Sequence, residues 1–289
     1  MAKAKAILKR RRVVTNTRKI TRTMELVSTA RFRQSFNRVE GARPYFHSIL
    51  EVMQDLSRAD LGIDHPLLRR REPVRHVTLL VLTSNRGLCG GFNTHLCRIG
   101  RDAIEELRQS GAQVALHVVG KKGIAFFRFR KFDLAAAHTA FGDRPTYAPV
   151  EALAEEFLAA YESGRTDKVV VCSQRYLSAA SQRPQLETLL PITPPTQADA
   201  AVRPLEYLVS PDAAGLMARL LPAYFKIVLY QLFLETAVGE HRARMVAMKN
   251  ATDNAESMIT SLTRRYNRAR QGQITNEISE IMGGVEALK

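Results

Sequence analysis

Three kinds of residue in this chain could do chemistry: glycines and lysines that could cradle a phosphate, histidines and cysteines that could hold a metal, and serines that could act as nucleophiles. Gly87, Gly90 and Gly91 stand in TSNRGLCGGFN (83–93), directly after an apolar run, where a phosphate-binding turn would be placed. Their spacing matches neither GxGxxG nor GxxxxGK[ST], and Gly120-Lys121-Lys122 lacks the hydroxyl residue that a magnesium-binding loop needs. A tight strand-to-helix turn is the expectation there. The seven histidines are scattered without an HExxH, and Cys89, Cys97 and Cys172 form no CxxC pair. Those thiols suit burial in reducing surroundings better than a disulfide framework. Ser84 and Ser173 follow strand-like runs, but neither stands in GxSxG. No catalytic residue, cofactor or metal is therefore expected on this chain.

Charge points to partners instead. Lys and Arg number 43 against 28 Asp and Glu, a net charge of +15 over 289 residues. Such an excess calls for an acidic counterpart: nucleic acid, an anionic membrane surface or an acidic protein face. The basic run Lys9–Arg12 belongs to an N-terminal stretch without the apolar segment of a secretory signal. The most apolar stretch, 220–238, is interrupted by Pro222, Lys226, Gln231 and Glu235, and reads as a packed or partner-facing helix rather than a membrane span.

The elements that must carry these residues fall into three blocks: 1–59, 73–205 and 210–289. The first is helical and polar, with breakers only at Gly41 and Pro44, the latter read as a kink. A heptad row runs through Val13, Thr17, Ile20, Met24 and Val27. The middle block alternates. HVTLLVLT (76–83), QVALHVVG (113–120) and DKVVVCSQ (167–174) read as strands buried on both faces, with helices over 93–109, 121–129 and 149–162 between them. That order predicts a Rossmann-like α/β domain with a mostly parallel sheet. Residues 191–204 read as a loop, and Ser210-Pro211-Asp212 as a helix start.

The last block carries the longest periodic signal. Ile227, Gln231, Leu234, Val238, His241, Met245, Met248, Thr252, Ala255, Ile259, Leu262, Tyr266 and Ala269 alternate steps of four and three without a slip. A helix over 223–287 would be roughly 98 Å long, far beyond a compact domain, so the N-terminal helix is its expected antiparallel partner. Residues 1–31 hold ten Lys or Arg and one acid, and residues 241–272 seven and two. Two such basic helices repel, and they make sense only inside an acidic or neutral sleeve.

Four stretches in order give the chain its resemblance to a family. NTRKITRTMELVSTARFR (16–33), TSNRGLCGGFN (83–93), RMVAMKNATDNA (244–255) and YNRARQGQITNEISEIMGG (266–284) resemble the segments of the gamma subunit of F-type ATP synthases, of bacterial type. Asn16 falls where bacterial members place it, without the added length of a transit peptide. The cysteine-bearing insertion of chloroplast members is missing. Asn85 departs from the acid expected at its position, and Lys9–Arg12 is more basic than the family pattern.

The resemblance implies a non-catalytic rotor. The terminal helices turn inside a ring of alpha and beta subunits, and the α/β foot sits with an epsilon subunit on the c-ring. It implies contact with the membrane only through that ring, on the cytoplasmic face of a bacterial plasma membrane, and no nucleic acid. By their places in the motifs, Arg270 and Gln271 are implied to hydrogen-bond a loop of the catalytic subunits, with Thr275 and Glu277 nearby. Met24 is implied to lie near an acidic lever of the beta subunit, and Tyr207 to touch the c-ring. Without the resemblance, a basic coiled-coil scaffold for RNA or DNA is the rival reading. Against it, the basic run lacks interleaved aromatics, and no RRM, KH or helix-turn-helix pattern is present.

Overall fold

A computed structural model of the chain describes residues 2–58, 65–176, 182–193 and 213–287. The elements in order are α1 (Ala2–Arg58), β1 (His76–Leu82), α2 (Phe92–Gln109), β2 (Gln113–Val119), α3 (Lys121–Phe129), β3 (Ala136–His138), α4 (Tyr147–Glu162), β4 (Lys168–Tyr176), β5 (Gln182–Leu190) and α5 (Ala213–Ala287). They make two compact units, Arg31–Ala243 and Met1–Ala30 with Arg244–Lys289. Both long helices contribute residues to each unit.

The larger unit is built on one sheet in the order β3-β2-β1-β4-β5. The first four strands are parallel and β5 runs antiparallel to β4. Alternation along β1 explains why apolar residues stand at consecutive positions from Leu79 to Leu82. Val77, Leu79 and Val81 join Leu96 and Ile104 of α2 and Phe127 of α3 on one face. Leu80 and Leu82 join Phe157 of α4 and Leu221, Phe225 and Leu229 of α5 on the other. The stretch over 220–238 is thus a core helix of this unit.

All three expected strands form, and the helices between them begin within two residues of the expected positions. β3 and β5 escape the sequence signal. β3 is three residues long, and β5 (QRPQLETLL) carries Pro184 and alternates half-buried with exposed positions until Leu189 and Leu190. An edge strand tolerates both features because one side of its ladder is free. α1 fills the block read as helical and runs unbroken through Gly41 and Pro44. Pro44 forfeits one ladder bond, but Val39, Ile49 and Met53 are buried on either side of it, so packing holds the helix. Residues 210–212 and 194–204 lie outside the described residues.

In the smaller unit the two helix segments run antiparallel. Arg11 lies over the Tyr266 ring, Arg18 reaches Glu256, and Thr21 meets Thr252, so partners descend along α5 as α1 ascends. The α5 row stands as its heptads predict: Met248, Thr252, Ala255 and Leu262 are buried. The α1 row does not. Val13, Ile20 and Val27 are 57%, 60% and 48% exposed, while Thr21 and Ser28, one residue further on, are buried. The seam is shifted by one residue. Small hydroxyl side chains let the backbones approach, and Thr252 Oγ1 donates to Thr21 Oγ1 at 2.9 Å. The larger apolar side chains are left facing outward.

Candidate partner-docking surface

The glycine-rich turn between β1 and α2 is filled by its own side chains. Asn93 Oδ1 accepts from Ser84 N at 3.0 Å, Asn93 Nδ2 donates to Ser84 Oγ at 2.9 Å, and Ser84 Oγ donates to the Arg86 carbonyl at 2.6 Å. Gly120, at φ +94°, exists for close approach: a Cβ there would stand 2.3 Å from the Thr83 carbonyl oxygen. The nearby α3 amides are also taken. Gly123 N donates to Thr83 Oγ1 at 2.9 Å and Lys121 N to Asn85 Oδ1 at 3.0 Å. These hydrogen bonds hold a tight strand-to-helix turn. Asn85 has a use that an acid could not fulfil, since its Nδ2 donates to the Phe141 carbonyl at 3.0 Å.

Four titratable groups of the larger unit are shifted by burial. His117 and His138 stack with Nδ1 and Nε2 3.4 Å apart, and burial holds both imidazoles below their ordinary value, against the opposing charge of Glu156. Burial pushes the Cys97 and Cys172 thiols up to about 12, so neither is a reactive thiolate. Among the described residues no group of three or more His, Cys, Asp and Glu is placed to hold a metal.

What the smaller unit offers is surface. On α5, Arg270, Gln271, Thr275 and Glu277 are all exposed. Thr275 Oγ1 donates to the Gln271 carbonyl at 3.0 Å and Gln273 Nε2 to Glu277 Oε1 at 2.8 Å, so among the described residues these bonds stay within the helix. Beside them Ile274, Ile278, Ile281 and Met282 are 42%, 52%, 67% and 68% exposed. Met24, half-buried on α1, lies by the antiparallel register roughly 30 Å along the pair from Arg270, so the two form separate sites. Tyr207 lies outside the described residues.

The sequence had placed Val13, Ile20 and Val27 inside the pair. The structure adds them to the surface. A cleft of about 960 Å³ between the helix segments is lined by Arg10, Arg265 and Arg268, by Glu277 and Glu280, and by Ile7, Leu262 and Ala269.

An α/β unit on a mostly parallel sheet and an antiparallel pair of long helix segments define the class of architecture. The chain matches the ATP synthase family model over residues 3–288. It is 42% identical over 295 residues to the ATP synthase gamma chain of Rhodopirellula baltica, and 42% over 290 residues to that of Gemmatimonas aurantiaca, covering 100% of both chains in each case. A rotor chain of the Euglena gracilis mitochondrial ATP synthase has the same fold, with a TM-score of 0.61 at 17% identity over 94% of this chain and 99% of that one. A chain of that organism's OSCP/F1/c-ring assembly gives 0.65 at 18%, over 99% and 95%. The chain belongs to the ATP synthase gamma-chain family, and its part in that membrane-associated complex is the central-stalk rotor, not a catalytic subunit.

Proposed function

We propose that the helix pair turns inside a ring of alternating alpha and beta subunits while the α/β domain rides, with an epsilon subunit, on the c-ring. In this division of labour residues 1–59 and 210–289 are the shaft and 73–205 the foot. The observation that carries the reading is the outward apolar row of Val13, Ile20 and Val27 on a strongly basic helix. A sleeve of neutral or acidic character covers such a face and offsets the repulsion between the two basic helices. Each orientation of an asymmetric shaft touches each catalytic site differently, and the difference in contact free energy shifts that site among its nucleotide-binding states.

Arg270 and Gln271 hydrogen-bond a loop of the catalytic subunits, with Thr275 and Glu277 beside them. An exposed guanidinium can hold a carboxylate by two bonds and release it again as the shaft moves. Met24 serves a second contact, near an acidic lever of the beta subunit, and Tyr207 touches the c-ring. The complex stands on the cytoplasmic face of a bacterial plasma membrane, and the chain meets the membrane only through the ring. The rival reading, a nucleic-acid scaffold, draws no support from the relatives.

The test is ATP hydrolysis by matching alpha and beta subunits with and without this chain, on a mixture checked for a stoichiometric complex. Steady turnover that depends on the chain supports the shaft role. Subunits that neither bind it nor respond to it remove the proposal.

A further inference from the structure

We propose that Asp143 is the latch through which torque passes between the sheet and the two long helices. The inference rests on the rotor reading above. Asp143 lies in the loop between β3 and α4, within the larger unit. Its carboxylate accepts a hydrogen bond from Arg31 of α1, and Nη1 of Arg86, in the turn after β1, stands 3.8 Å away. Its backbone carbonyl faces Nε2 of His241 on α5 at 3.3 Å. A carbonyl only accepts, so that imidazole nitrogen carries the proton. His241 is 1% exposed, which leaves its ring little freedom to turn away. One residue thus touches the first helix, the last helix and a turn of the sheet.

The loop around Asp143 is anchored in its turn. Asn85 Nδ2 donates to the carbonyls of Phe141 at 3.0 Å and Thr139 at 3.4 Å, and the Phe141 ring packs on Phe233 of α5 with centroids 4.8 Å apart. Position along the helices gives the contact its weight. Arg31 is the first α1 residue of this unit, and His241 lies two residues before its last α5 residue, Ala243. When a clamped rod is twisted, the clamp contacts nearest its point of exit carry the largest share of the load. The hydrophobic attraction deeper in the unit is non-directional, and close packing holds the helices there as a body. A charge-assisted hydrogen bond adds a contact with a set direction at the exit itself. An ordinary half-exposed ion pair of this kind adds little stability. A latch therefore shows in coupling rather than in folding.

The experiment uses the whole complex, assembled with this chain and its variants in ion-tight vesicles, with ATP hydrolysis and ATP-driven ion pumping measured on the same preparation. If the unaltered chain supports neither, the rotor reading fails before the latch is tested. Given a working complex, Asp143→Asn is expected to keep hydrolysis and lose most of the ions pumped per ATP. Arg31→Gln loses a similar share, and the double variant loses no more than either alone, because both remove one bond. Asp143→Glu, which keeps the charge, retains coupling. Full coupling in Asp143→Asn, or losses that add in the double variant, would overturn the proposal. Should Asp143→Asn fail to assemble, Arg31→Gln is read by the same rule: full coupling overturns the latch and selective loss of pumping supports it.

Discussion

The two units bury different things. In the larger one, Leu79, Leu80, Val81, Phe127 and Phe157 are at most 1% exposed, and apolar side chains cover both faces of the sheet. In the smaller one the seam buries Thr21, Ser28, Thr252 and Ala255, while Val13, Ile20, Ile281 and Met282 face outward. The larger unit has used its apolar surface to fold. The smaller leaves much of it exposed, which suits the shaft proposed above. Close packing gives rigidity, and a seam of small hydroxyl residues gives close approach with modest adhesion.

That contrast can be broken at several points, the largest first. Phe157→Ala removes a ring that is 1% exposed among the α4 and sheet core, and should cost about 3–5 kcal/mol in denaturant unfolding of the chain. A loss like that of an exposed side chain would mean the core is looser than described. Arg270→Leu should leave the unfolding curve unchanged, because the residue is exposed, yet weaken coupling or assembly in the complex. Unchanged hydrolysis and synthesis in an assembled Arg270→Leu complex would remove Arg270 from the docking surface.

The next effect is a pH dependence confined to the larger unit. His117 of β2 and His138 of β3 face each other and Glu156 of α4, and burial lowers both imidazoles from the ordinary 6.5. The unfolded chain takes up protons near 6.5 while the folded pair resists them. Stability is therefore full above that value and falls as the pH drops below it. Unfolding midpoints compared at about pH 7.5 and about pH 5.5 should show this loss, and His138→Gln should reduce it. An identical shift in the variant would assign the acid sensitivity to other groups.

The smallest effect is in the helix pair. Thr21→Val and Thr252→Val should each cost about 0.5–1.5 kcal/mol, and the double variant less than their sum, since the contact between the two hydroxyls is lost only once. Strict additivity would show that the 2.9 Å contact between the hydroxyls adds nothing.

How much of this was legible in the sequence follows from where the information lies. β1, β2 and β4 announce themselves because a strand covered on both faces must be apolar at every position. β5 does not, because an edge position admits Pro184 and polar alternation. The α5 seam was readable because its buried row coincides with its most apolar heptad row. On α1 the two differ by one residue, so the most apolar row is not the buried one. Periodicity gives the spacing of a face but does not say whether its own chain or another molecule covers it. Asp143 carries no local signal at all, since its partners Arg31, Arg86 and His241 lie far apart in sequence.

The sequence by itself determined the strands with two covered faces, the length of the terminal helices, the absence of a reaction-centre motif and membership of the family. Each of these is written in local pattern and composition. Only the tertiary structure decided which edge β5 occupies, which row of α1 faces inward, how Asn85 serves the Phe141 carbonyl and what Asp143 joins. These depend on pairs of residues brought together across the fold, and neither hydrophobic period nor propensity records such pairs.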